Sequence, residues 1–145
     1  MRIRGTLLVM LMVALGTPTG LPAETAEPDR VKVQHVLVSF KGRLRGRFVD
    51  RRKPEALQRA NEVLALAREG RPFGGLVKEY TDDSFPGILE IVNRGVEPRP
   101  GEHKRFDLAR SFGDVAFALE VGEIGIAQYH ATRSPFGWHI VKRLE

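Results

Sequence analysis

Along the first half of the chain the spacing of apolar residues changes several times, and each spacing specifies an element. Val31 to Phe40 (VKVQHVLVSF) is β-branched and apolar, which predicts a well-buried strand with Val31, Val33, His35 and Leu37 on one face. From Pro54 to Glu69 the spacing switches to steps of three and four. Ala56, Leu57, Ala60, Val63, Leu64 and Ala67 then form a helical stripe, with Glu55, Arg59, Glu62 and Arg68 outside it. Pro54 suits the first helical position, and Gly70 ends the helix. A shorter helix is predicted from Pro72, with Phe73, Leu76, Val77 and Tyr80 inward and weakened by Gly74 and Gly75. Pro86-Gly87 signals a turn before a short strand, Ile88 to Val92.

Residues 93–107 hold Pro98, Pro100 and two glycines, and they read as an irregular loop. Phe112, Val115, Ala116 and Leu119 mark a third helix, ended near Gly122, and Ile124–Tyr129 and Trp138–Leu144 read as closing strands. This order predicts an α+β layer fold with a small, largely antiparallel sheet. There is no internal repeat.

The N-terminus has a different character. Arg2 and Arg4 precede an uncharged apolar run, Leu7 to Leu15, and Gly16, Pro18 and Gly20 then break any helix before Leu21-Pro22-Ala23. That three-part pattern predicts a secretory signal peptide over residues 1–23, with cleavage before Glu24. The run is short of the ~20 apolar residues a bilayer span needs, so no stable membrane insertion is expected after cleavage. An uncleaved anchor is the alternative. Residues 24–30 read as a flexible lead-in, and residues 31–145 as one domain, exported to a periplasm or secreted.

Composition narrows the chemistry. There is no cysteine, hence no disulfide framework and no lipid-modified cysteine. The net charge of +5 becomes +3 once Arg2 and Arg4 are removed, but basicity is concentrated locally. Lys41, Arg43, Arg45, Arg47, Arg51, Arg52 and Lys53 face a single acid, Asp50, within 41–53. Phe48 is the only aromatic in that run, so no nucleic-acid partner is expected. G-x-S-x-G, P-loop, H-E-x-x-H and C-x-x-C patterns are all missing, and no two of the four histidines share metal-ligand spacing. No metal site is expected. The unusual residues are His35, mid-strand on an apolar face, and His139 in the last strand. With the acidic pair Asp82-Asp83 they could form a polar cluster inside a core, which needs mutual hydrogen bonds to be tolerated.

VQHVLVSF followed by a basic loop resembles the opening H-I-L-V strand of the parvulin peptidyl-prolyl isomerases. The resemblance continues in order through ALQRANEVLALAREGRPFGGLVKEYTDDS, FGDVAFALEVGEIG and SPFGWHIVKRLE, and so covers residues 31 to 145. It implies a four-stranded antiparallel sheet surrounded by short helices, and cofactor-free isomerisation of X–Pro bonds in extended or unfolded polypeptide by a monomer. His35 and His139 match the family's two strand histidines, and Asp83 matches the position facing the substrate amide. Leu108 and Phe112 match the lining of the proline pocket, which Leu89 joins. Ser134 and Phe136 match residues flanking the bound peptide. By the same resemblance, Lys41, Arg43, Arg45 and Arg47 could select an acidic residue before proline; a solvated basic loop is the other reading. The histidines could be chemical or architectural.

One segment departs from the family. Where parvulins read G-G-D-L-G-x-F, this chain has Pro86-Gly87-Ile88-Leu89-Glu90-Ile91-Val92, with Val92 in place of an aromatic wall. The 93–107 loop is also longer than usual. These departures keep open a non-catalytic chaperone or peptide-binding module.

Overall fold

The structure, a computed structural model, describes residues 26–145. The predicted signal segment, residues 1–23, lies outside the described residues. In chain order the elements are β1 (Arg30–Val38), α1 (Lys53–Arg68), α2 (Phe73–Tyr80), β2 (Ile88–Val92) and β3 (His103–Lys104). A 3-10 turn (Arg105–Asp107), α3 (Arg110–Ala118), β4 (Ile124–Ala127) and β5 (Trp138–Arg143) complete the fold.

The strands form one sheet in the order β3-β2-β1-β5-β4. All pairings are antiparallel except that of β3, which runs parallel to β2 through Ile91↔His103 and Val92↔Lys104. The expected sheet of four antiparallel strands is therefore five strands with a parallel edge. The extra strand and the 3-10 turn come from the stretch 93–107, expected to be irregular. Two residues of strand are too short to leave a period-2 signature.

Alternation along β1 divides the interior in two. Val36 and Val38 join Trp138, Ile140, Phe73, Leu76, Val77 and Tyr80 beneath α1 and α2. Val31 and Val33 join Val141, Ile91, Phe112, Ala116 and Phe117 beneath α3. Helix α1 buries Ala56, Ala60, Val63 and Ala67, while Leu57, expected in the stripe, is exposed. Small alanines let α1 lie close to the sheet, and its first turn is fixed by Glu55, whose Oε2 accepts from the Arg52 N–H at 2.7 Å.

Residues 26–30, expected as part of a loose lead-in, are tied down instead. Asn93 N donates to Asp29 O at 2.8 Å, and Asn93 Nδ2 donates to Pro28 O at 3.0 Å. Arg30 Nε pairs with Glu102 at 3.0 Å, and Glu27 reaches Arg105 Nη1 at 2.7 Å.

Gly137 sets the start of β5. Its φ is +142°, and a Cβ there would lie 2.2 Å from Val38 O. Only glycine lets the two backbones approach this closely. Gly137→Ala is expected to lose at least about 2 kcal/mol of stability, read as a lower urea midpoint with an unchanged slope. An unchanged midpoint would show that the β1–β5 approach is slack.

Candidate active site

The site grows out of the β1–β5 pairing. His35 lies opposite Val141, and His139 lies opposite Leu37, which makes the two histidines diagonal neighbours on the α3 face. Their Nδ1 atoms are 3.4 Å apart, so one ring donates and the other accepts. The rings are stacked, with centroids 5.5 Å apart. Phe112 of α3 closes the group edge-on, at 5.2 Å from His35 and 5.1 Å from His139.

Burial decides the charge of this pair. Desolvation pushes His139 down to about 3, helped by the neighbouring His35. Desolvation also lowers His35, and the Asp83 carboxylate opposes the shift. Both rings are therefore neutral near pH 7. His139 Nε2 is buried with no hydrogen-bond partner among the described residues.

Above these rings lies a hollow of about 240 Å³, walled by Leu89, Leu108, Ala109 and Phe136 and edged by Asp83 and Asp107. Asp83 Oδ2 stands 3.8 Å from His35 Nε2, and its Oδ1 stands 3.9 Å from Arg47 Nη2. A second hollow of about 430 Å³ shares Asp83, Phe136 and His139, and it is bordered by Leu37, Arg43, Leu44, Arg45 and Arg47. Arg47 is fixed at this rim by donating to Asp82 O at 2.9 Å and Ser84 Oγ at 3.0 Å. Lys41 stays apart, pairing with Asp50 at 3.8 Å.

Four expectations are corrected. The Asp82-Asp83 pair divides its roles, since Asp82 faces inward, accepting from Ser39 N at 2.8 Å and pairing with Arg51. Only Asp83 joins the histidines. Ser134 is fully buried with its hydroxyl donating to Gly137 O at 3.1 Å, so it shapes the turn rather than facing the hollow. Lys41 does not border either hollow. Val92, expected as a substituted pocket wall, is buried on the strand face away from Leu89 and borders neither hollow.

Sequence reasoning missed Asp107 and Ala109, which flank Leu108 in a stretch without periodicity. It also missed Ser39, whose Oγ donates to Phe136 O at 2.6 Å and so steadies that wall. A serine inside the otherwise apolar run Val36–Phe40 is the signal that the sequence offers.

Residues 20–145 match the family described as the PPIC-type PPIase domain. The chain belongs to that family. It carries a parvulin-type (PPIC-type PPIase) domain. Among curated relatives it is 28% identical over 120 residues to "Chaperone SurA" of Methylobacillus flagellatus, covering 81% of this chain and 22% of that protein. The chain thus spans about a fifth of the length of that relative. The fold is similar to the solution structure of TbPIN1 (TM-score 0.59, 21% identity, 81% of this chain and 98% of that one). It is likewise similar to the peptidyl-prolyl isomerase ESS1 of Candida albicans (TM-score 0.60, 20% identity, 81% and 63%).

The buried histidines carry a pH consequence for the PPIase domain. A histidine in the unfolded chain takes its proton near 6.5, whereas His139 in the fold resists until about 3. Between these values the unfolded chain binds more protons, so stability is complete above pH 6.5 and declines as the pH falls toward 3. His35 acts in the same direction. Urea midpoints measured from pH 7 to 3.5 should therefore fall less steeply for His139→Leu than for the natural chain. Parallel profiles would mean that His139 is not held neutral.

Proposed function

We propose that this domain is exported and isomerises X–Pro bonds in extended or unfolded client chains, assisting their folding, with the hollow over the histidine pair as its proline site. The observation that carries this reading is a hollow of about 240 Å³ with apolar walls over a neutral polar floor, with the Asp83 carboxylate beside His35 and Asp107 also at its edge. Leu89, Leu108, Phe112 and Phe136 would grip the ring. Rotation about the peptide bond faces about 18–20 kcal/mol because amide resonance holds it planar. Resonance places negative charge on the carbonyl oxygen, and a twisted amide carries less of it. The Asp83 carboxylate near that oxygen would disfavour the planar form relative to the twisted one. His35 and His139 supply a floor that holds no charge of its own and so gives the planar dipole little compensation. Their role is architectural, and the rate effect lies with Asp83 and the apolar walls.

Arg43, Arg45 and Arg47 border the hollow adjoining the proline site, where a residue preceding proline would lie. Their placement supports selection of an acidic residue there, with Lys41 contributing nothing.

The assay is isomerisation of short X–Pro peptides by residues 24–145, with Glu, phosphoserine or Leu before the proline. Asp83→Ala and Phe112→Ala should each lower kcat/KM by about tenfold or more, and Glu should outperform Leu. Peptide binding without any acceleration would instead support the non-catalytic holding module. Full activity in both variants would relocate the site, and equal rates for Glu and Leu would remove the acidic preference.

Export rests on the basic, apolar and small-residue order of residues 1–23. Expressed in a bacterium with the whole sequence, the accumulated protein should begin at Glu24 and lie outside the cytoplasm. Recovery of intact Met1 in the cytoplasm would overturn it.

A further inference from the structure

The stretch 93–107 and the start of α3 together border a third hollow, beside the proline site. It holds about 370 Å³ and is lined by Arg94, Arg105, Phe106, Leu108, Arg110 and Asp114. Leu108 also walls the proline site, so the two hollows meet across one side chain. The arginine-bordered hollow joins the proline site through other residues, Asp83, Phe136 and His139.

Its charges do not balance. Asp114 serves three guanidinium groups: Arg105 at 2.9 Å, Arg133 at 3.3 Å and Arg110 at 4.0 Å. Glu27 serves Arg105. With Arg94, four cations stand against two carboxylates among the described residues, and hydrogen bonding to Arg105 foremost holds both carboxyls below the usual range. Arg105 is buried and committed to its partners, whereas Arg94 and Arg110 are exposed at the rim. Phe106 lies between them in sequence, 70% exposed, with the Arg94 guanidinium 5.4 Å from its ring centre. An exposed aromatic ring beside exposed cations that outnumber their carboxylates suits a chain segment that carries both a carboxylate and apolar surface.

We infer that this hollow is a second binding site for the same client chain, taking an acidic side chain from the residues that follow the proline. The inference rests on the proposed proline site, with the residue before proline on the Arg43–Arg47 side. The client then runs from that basic shelf, over the proline hollow, past Leu108 and onto Phe106. Acidic residues after the proline meet Arg94 and Arg110 there. Selection is thus two-sided, and its second half belongs to the stretch from Arg94 to Arg110.

The experiment is a binding titration by fluorescence anisotropy with two sets of dye-labelled X–Pro peptides: one keeps Leu before proline and scans Glu or Lys through the positions after it, and the other compares Glu with Leu before proline. The natural protein should bind the best Glu peptide roughly three- to tenfold more tightly than its Lys counterpart, with the ratio shrinking at high salt. In the Arg94→Glu/Arg110→Glu double variant the ratio should invert, while the preference for Glu over Leu before proline stays as it was. Three results would overturn the inference: equal affinities throughout the scan, a ratio untouched by the double variant, or a loss confined to Glu before proline. Binding is read without turnover. A chain that isomerises nothing would therefore sink the proposed activity alone, and isomerisation with a flat scan would sink the second site alone.

Discussion

Beyond Gln34 the strand β1 has no β-partner on its β2 side, and its backbone there must be satisfied by something else. The segment 81–87 does this. Thr81 Oγ1 accepts from Leu37 N at 3.1 Å, and Asp82 N donates to Leu37 O at 2.8 Å. The Asp82 carboxylate accepts from Ser39 N at 2.8 Å, and Gly87 O accepts from His35 N at 3.0 Å. A loop thus replaces a strand along half of β1. Because its two ends are pinned, the residue between them, Asp83, has to stand near His35. Gly87 is required for this approach, since a Cβ there would lie 2.7 Å from His35 O.

The same substitution accounts for the placement of the rim. Arg51 pairs with Asp82 and also donates to Ser39 O at 3.0 Å, which draws the end of the basic loop back against β1. Arg47 then reaches across to Asp82 O and Ser84. Lys41 and Arg43 lie earlier in the loop, with Arg43 stacked 5.2 Å over the Phe40 ring. The loop is therefore basic throughout but aims selected cations at the site. Composition shows the charge, and hydrogen bonding decides where it points.

Much of the architecture was legible because periodicity reports burial directly. The alternation of β1 and the alanine-rich stripe of α1 place both cores, and the ordered motifs locate His35, His139, Asp83, Leu108 and Phe112. The failures have a common cause. Position along the chain places Ser134, Asp82 and Val92 near the site, yet which way each side chain turns is fixed by hydrogen bonds and strand pairing that position alone does not show. The short β3 and the 3-10 turn at Arg105–Asp107 have too few residues to show any period, so Asp107 and Ala109 could not be read from pattern.

The tie between Glu27 and Arg105 bears on where the folded unit ends. Arg105 donates to Glu27, to Asn93 at 2.9 Å and to Asp114 at 2.9 Å, and its guanidinium lies 4.6 Å from the Phe117 ring centre. It leads directly into Phe106–Leu108, so the anchoring of this one cation steadies a wall of the proline hollow. Removing one partner of a buried arginine is costly because the charge cannot easily find water. The resemblance to parvulins begins at Val31, but the mechanical unit begins no later than Glu27. The expected processing point after Ala23 lies upstream of that carboxylate, so trimming there would leave the keystone in place.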